Sequence, residues 1–98
     1  MAIKSYRNAS TRDFAEGVAS KNARRLLPIV LHPSARPGLA AIEAMTALSE
    51  FAAFPGWQLE KLKGDRASQY SIRINSQYRI CFRWNGVDAE AVEIVDYH

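Results

Sequence analysis

The sequence predicts an α+β fold, with an N-terminal strand and two to three helices packed on a mainly antiparallel sheet. Three observations predict it. From Trp57 onward apolar residues recur at every second position, most strictly through Tyr70-Ser71-Ile72-Arg73-Ile74 and Tyr78-Arg79-Ile80-Cys81-Phe82-Arg83-Trp84. That is the period of strands with one covered face. Between residues 12 and 51 the Ala- and Leu-rich apolar positions follow helical spacing instead. Gly, Asn and Ser cluster between the strand candidates, as hairpin connections require.

In chain order, residues 3–7 alternate apolar and polar and form a short first strand. Asn8-Ala9-Ser10 is turn chemistry, and Ser10 or Thr11 is expected to cap a helix over residues 12–19, with Phe14 and Val18 in the core. A second helix is expected over residues 21–31, disturbed by Pro28, which removes a hydrogen bond and crowds the preceding turn. Residues 32–38, with two prolines and a glycine, read as a loop, and residues 39–51 as a further helix ended by Phe54-Pro55-Gly56. Strands follow at 57–62, 70–74, 78–84 and 91–97, making a four-strand meander.

Residues opposite each other in an antiparallel pair share a face, so apolar matching selects the register. A three-residue loop, Asn75-Ser76-Gln77, pairs Ile72 with Ile80 and leaves Arg73 opposite Arg79 and Ser71 opposite Cys81 on the other face. At the next turn a tight Asn85-Gly86 hairpin is the strongest local signal but sets Val92 against Arg79. A five-residue loop over 85–89 pairs Phe82 with Val92, Ile80 with Ile94 and Arg79 with Val95, and is preferred. One face then carries Arg73, Arg79, Arg83 and Tyr97. Like charges directly opposite are unfavourable, so the arginine pair points to an anionic ligand such as phosphate, the alternative being neutralisation by a carboxylate such as Glu93.

A chain of 98 residues with 48% hydrophobic content supports one small core and one domain, residues 1–98. No apolar run approaches the ~18 residues that span a bilayer, and the N-terminus lacks a signal-peptide core. A cytoplasmic protein without membrane association is the expectation. The single Cys81 permits neither an intramolecular disulfide nor a thiolate metal site. All thirteen Lys and Arg lie in residues 1–36 and 57–84, whereas 85–98 carries four acids and no Lys or Arg. Clustered positive charge of this kind suits a polyanion or an acidic protein.

Four stretches, in order and spacing, resemble the HigB branch of the RelE/ParE toxins. They are Leu59-Glu60-Lys61-Leu62-Lys63-Gly64-Asp65-Arg66, Tyr70-Ser71-Ile72-Arg73-Ile74-Asn75, Gln77-Tyr78-Arg79-Ile80-Cys81-Phe82-Arg83-Trp84, and Val92-Glu93-Ile94-Val95-Asp96-Tyr97-His98. Ile3-Lys4-Ser5-Tyr6 at the start is similar as well. The resemblance implies a RelE-like, microbial ribonuclease-like fold and the toxin of a type II toxin–antitoxin pair. It further implies ribosome-dependent cleavage of mRNA, without a metal or organic cofactor, that inhibits translation and growth. The expected partners are a HigA-like helix-turn-helix antitoxin, the ribosome and its mRNA, with operator DNA contacted only through the antitoxin.

Metal-free RNA cleavage needs the 2′-OH deprotonated, the phosphate held and its charge stabilised, and the leaving oxygen protonated. Arg79 and Arg73 suit the charge because guanidinium grips phosphate bidentately, and Lys63 is a candidate second cation. His98 is the natural acid or base. Tyr97 is placed to stack on a base or bond a phosphate oxygen, and Asp96 to orient His98 or accept a proton. Glu60 stands where some HigB proteins carry histidine, and a carboxylate there serves as a base but not as an acid. Arg83, Lys61 and Arg66 are expected RNA contacts, whereas His32, outside the matched stretches, reads as incidental. A regular last strand sends Asp96 and His98 to the face opposite Tyr97, so a bend after Val95 is expected. Two other readings remain: a ParE-like inhibitor acting on DNA gyrase by protein contact, and a catalytically degenerate antitoxin-binding regulator.

Overall fold

The computed structural model describes residues 3–18 and 20–96. Tyr97, His98 and the conformation after Asp96 lie outside the described residues. Helix α1 (Ala9–Ala15) starts earlier than its sequence suggests, because the cap is Asn8 and not Ser10 or Thr11. Asn8 is extended, as a cap must be, and its Oδ1 accepts the Thr11 N–H at 2.9 Å. Thr11 is fully buried and accepts the Ile94 N–H through Oγ1 at 3.3 Å, which ties the helix to the sheet. The chain leaves α1 through Gly17 at φ +75, a left-handed exit that stops the helix short of residue 19. Val18, expected in the core, is 48% exposed beyond that exit, whereas Phe14 is buried.

Ser20 caps α2 (Lys21–Leu26) by accepting the Ala23 N–H, and its own hydroxyl donates to Asp13. The helix does not run to residue 31. Leu27 precedes Pro28 and is extended (φ −152, ψ 132), the conformation that a following proline imposes. A 3-10 turn, Ile29–Leu31, follows and leaves Ile29 and Val30 exposed, so Val30 drops out of the expected apolar stripe while Leu31 still packs against the core.

The main departure from the sequence expectation is α3 (His32–Ala44), which begins inside the predicted loop. Pro33 lies in its first turn, where an N–H has no helical partner to lose. Pro37 is interior and does remove a bond. Burial of Ala35, Gly38, Leu39 and Ile42 against the sheet outweighs that loss. Residues beyond α3 form 3-10 segments, Leu48–Ala53 and Pro55–Trp57, in place of the rest of a helix and the start of a strand.

Strands β1 (Glu60–Lys61), β2 (Gln69–Arg73), β3 (Tyr78–Trp84) and β4 (Ala89–Asp96) form an antiparallel meander in that order. The N-terminal segment runs parallel to β4 and, among the described residues, forms two isolated bridges, Ile3 with Ala89 and Tyr6 with Val92. Between them β4 bulges at Ala91 (φ +51), whose N–H bonds the Ser5 hydroxyl at 2.9 Å. Ile72, Ile80, Phe82, Val92 and Ile94 face the helices and are buried with Phe14, Leu27, Leu39 and Ile42. No helix among the described residues is long and apolar enough to cross a membrane.

Candidate active site

The β2–β3 register is the one that apolar matching selects: Ile72 pairs with Ile80, Arg73 with Arg79 and Ser71 with Cys81. Asn75 holds the connecting loop, its Oδ1 accepting from the Gln77 and Tyr78 amides. The β3–β4 register follows the five-residue loop away from the turn and shifts by one residue near it, so the expected Phe82–Val92 pair is not formed. Ile80 pairs with Ile94 and Arg79 with Val95 as expected, yet Trp84 pairs with Ala89 across a four-residue connection, residues 85–88. Asn85 accepts the Val87 and Asp88 amides there, at 2.8 and 2.6 Å, and the bulge at Ala91 absorbs the one-residue difference.

These registers place two rows of side chains on the sheet face turned from the helices. Glu60, Ser71, Cys81 and Glu93 form one row across all four strands, and Arg73, Arg79 and Val95 form the next. Arg83 follows on the other side, opposite Gln69 and Glu90, and is exposed. Lys63 and Glu60 are exposed at the β1 edge. Lys61 pairs with Tyr70, which packs against the helix-side core, so strand alternation separates Lys61 from Glu60 and from the arginines.

Arg79 is not an open surface residue: it is 8% exposed. Its Nε donates to Ser71 Oγ at 2.7 Å, and one terminal nitrogen donates to the Gln58 carbonyl at 2.6 Å and, more weakly, to the Ser71 carbonyl at 3.4 Å. Gln58 offers that carbonyl from a left-handed conformation (φ 45, ψ 59). Arg73, half-buried, stands directly opposite. Among the described residues neither arginine has a carboxylate partner.

Glu93 is engaged elsewhere. Its two carboxylate oxygens lie 3.1 Å from Arg66 and 3.2 Å from Arg7. Arg66, proposed from sequence as an RNA contact, also donates to Gln69 Oε1 at 3.0 Å, so its guanidinium ties the Gly64–Arg66 turn to β2 and β4. Cys81 is buried in the same row, and burial raises its thiol pKa above the ordinary value. Arg66 and Arg79 oppose that rise and Glu93 adds to it.

At the sheet end Asp96 remains in regular pairing, opposite Tyr78, with Gln77 Nε2 donating to its Oδ2 at 3.1 Å. No bend separates it from Val95, and strand alternation sets Asp96 on the parity opposite Arg79. The structure therefore brings Arg73, Arg79 and Arg83 to one face, with Glu60 at its edge. It does not bring Lys61 or Asp96 to that face, and it gives Arg66 a partner. Sequence reasoning missed Ser71 and Gln58 as supports of Arg79. The register already put Ser71 on the arginine face, and that hydroxyl was the legible signal; a backbone carbonyl leaves none. Among the described residues no three His, Cys, Asp or Glu side chains gather as a metal site.

Comparison with known proteins agrees with this architecture. Residues 6–98 match a family described as the RelE-like toxin of type II toxin–antitoxin system HigB. The chain is also similar to Toxin HigB-1 of Vibrio cholerae serotype O1 (strain ATCC 39315 / El Tor Inaba N16961), with 35% identity over 60 residues. That stretch is 61% of this chain and 63% of the relative, so it spans less than two thirds of the relative's length. The arginine-bearing meander and the family match over nearly the whole chain lead to one conclusion: the protein belongs to the HigB family of RelE-like toxins of type II toxin–antitoxin systems.

Proposed function

We propose that this chain, acting as a single-domain toxin, is an endoribonuclease that cleaves mRNA on the ribosome and is neutralised by a HigA-like helix-turn-helix antitoxin. The observation that carries the reading is the Arg73–Arg79 pair, two guanidiniums directly opposite on neighbouring strands with no carboxylate partner among the described residues. Two cations so placed repel each other, and a phosphate between them removes the repulsion. Arg79, shielded from bulk water, is the stronger electrostatic partner for charge developing on a phosphorane, because a fixed donor in a drier site needs no reorganisation.

In this reading Arg79 and Arg73 stabilise the phosphate during attack by the neighbouring 2′-OH, and Arg83 and Lys63 hold flanking phosphates. His98 protonates the leaving 5′ oxygen, Tyr97 stacks on a base, and Glu60, at the edge of the Ser71 row, accepts the 2′-OH proton. Asp96, turned to the other parity, acts on its C-terminal neighbours and not on RNA. Arg66 serves the turn that carries Lys63 and does not contact substrate. Lys61 is not assigned to the site.

Primer extension on a translated mRNA after induction tests the proposal. New 5′ ends within the coding region are expected from the wild type, and Arg79→Ala is expected to reduce them by about 100-fold or more, the usual cost of removing one oxyanion donor. Removal of His98 is expected to abolish cleavage as well. Growth arrest without new ends would instead favour a gyrase-directed inhibitor. Unaffected growth with antitoxin binding intact would favour a degenerate regulator.

A further inference from the structure

The setting of Arg79 specifies how its guanidinium is presented, a point that goes beyond its assignment as a phosphate-binding group while resting on that reading. A free arginine offers two donor edges and turns between them. Here Nε is taken by Ser71 Oγ at 2.7 Å and one terminal nitrogen by the carbonyls of Gln58 and Ser71 at 2.6 and 3.4 Å. The other terminal nitrogen, Nη1, has no partner among the described residues and is still reached by solvent. Ser71 itself is fully buried, so its hydroxyl serves neither water nor a ligand directly. Gln58 holds its carbonyl toward Arg79 from a left-handed backbone that a side-chain-bearing residue rarely adopts.

We infer that Ser71, helped by the Gln58 carbonyl, is a positioning residue that locks the Arg79 guanidinium and presents the single nitrogen Nη1 to the scissile phosphate. Ser71 and Gln58 fix the plane of the guanidinium, so Arg79 engages one phosphate oxygen and Arg73, opposite, supplies the second cation. A fixed donor acts on the transition state without first being ordered, so losing the lock lowers turnover more than binding.

The test uses the full chain in a reconstituted translation system, comparing wild type with Ser71→Ala, Ser71→Cys and Arg79→Ala. Ser71→Cys keeps the side-chain volume while weakening the acceptor, which covers the case in which Ser71→Ala fails to fold. Both Ser71 variants are expected to lose about tenfold or more in kcat with KM changed less than about threefold, as misplacement of a catalytic group by a fraction of an ångström does. In 1H–15N spectra the Arg79 Nε–H, assigned by its absence in Arg79→Ala, is expected to exchange slowly in wild type and to shift or vanish in the Ser71 variants. An unchanged Nε–H signal, or wild-type kcat in a folded Ser71 variant, overturns the inference. Wild-type cleavage by Arg79→Ala overturns the functional reading and the inference with it. The inference fails alone when Arg79→Ala is inactive and the Ser71 variants are not.

Discussion

At the scale of single residues, what decides behaviour is how each polar group is satisfied. Cys81 is a buried thiol in a row with Ser71 and Glu93, and its raised pKa keeps it protonated near neutral pH. Iodoacetamide at pH 8 is expected to label it only as fast as the protein opens, with the rate rising in urea; rapid labelling of the folded chain would show the face to be open. Tyr6 gives a pH dependence of definite sign. Burial raises its phenol above 10.0, with Glu43 and then Glu16 pushing in the same direction. The folded state holds that proton more tightly than the unfolded chain, so the stability linked to it is intact below about pH 10 and is lost as pH rises through the folded value. Between pH 9 and 11 the urea midpoint of Tyr6→Phe is expected to fall less than that of wild type. Ala91, left-handed at the bulge, carries strain that glycine lacks. Ala91→Gly is expected to leave stability unchanged or raise it by up to about 1 kcal/mol, the gain being cut by glycine's greater unfolded-state freedom, while Ala91→Val costs about 1 kcal/mol or more in thermal melts.

At the scale of elements, α3 teaches the most. Two prolines and a glycine within its first seven residues read as a loop, yet Pro33 and Gly38 each have a place in the helix. Pro33 sits where no amide bond is lost. Gly38 lies where α3 crosses the sheet: a Cβ built there stands 3.0 Å from Ile80 Cδ1 and 3.2 Å from Ile72 Cδ1. Those neighbours are ends of flexible side chains, so Gly38→Ala trades crowding against helix propensity and is expected to change stability by no more than about 1 kcal/mol. Gly38→Leu is expected to cost about 2 kcal/mol or more by overpacking, read as a lower urea midpoint. Pro37, exposed and interior, has no such excuse, and Pro37→Ala is expected to stabilise by about 1–2 kcal/mol after the entropy of the freer unfolded chain is counted. The three long strands were legible because period-2 alternation and apolar matching over-determine a register, whereas the first strand candidate forms only bridges and residues 57–62 keep only Glu60–Lys61 in the sheet. The first two helices were legible near their expected places, but α3 was not, since local breakers decide only when packing does not.

At the scale of the whole molecule, thirteen basic residues against ten acidic ones matter less than where they fall. Arg7 and Arg66 converge on Glu93 and pin the N-terminal segment and the Gly64–Arg66 turn to β4, while Arg73, Arg79 and Arg83 keep one face positive. Binding to a short single-stranded RNA is therefore expected to weaken with salt, and Arg73→Ala to reduce the log–log slope by about 0.7, the value of one phosphate contact. Filter binding across a salt series checks it, and an unchanged slope would remove Arg73 from the interface. The sequence by itself determined the α+β class, the β2–β3 register, the arginine pair and the family, because alternation along strands carries face and partner together. Only the tertiary structure decided that α3 begins at His32, that β4 bulges at Ala91, that Arg66 belongs to Glu93 and that Asp96 turns from the arginines. Those outcomes depend on contacts between residues distant in the chain, where burial outweighs a proline's lost hydrogen bond and a carboxylate's partner is chosen by proximity in the fold and not by spacing.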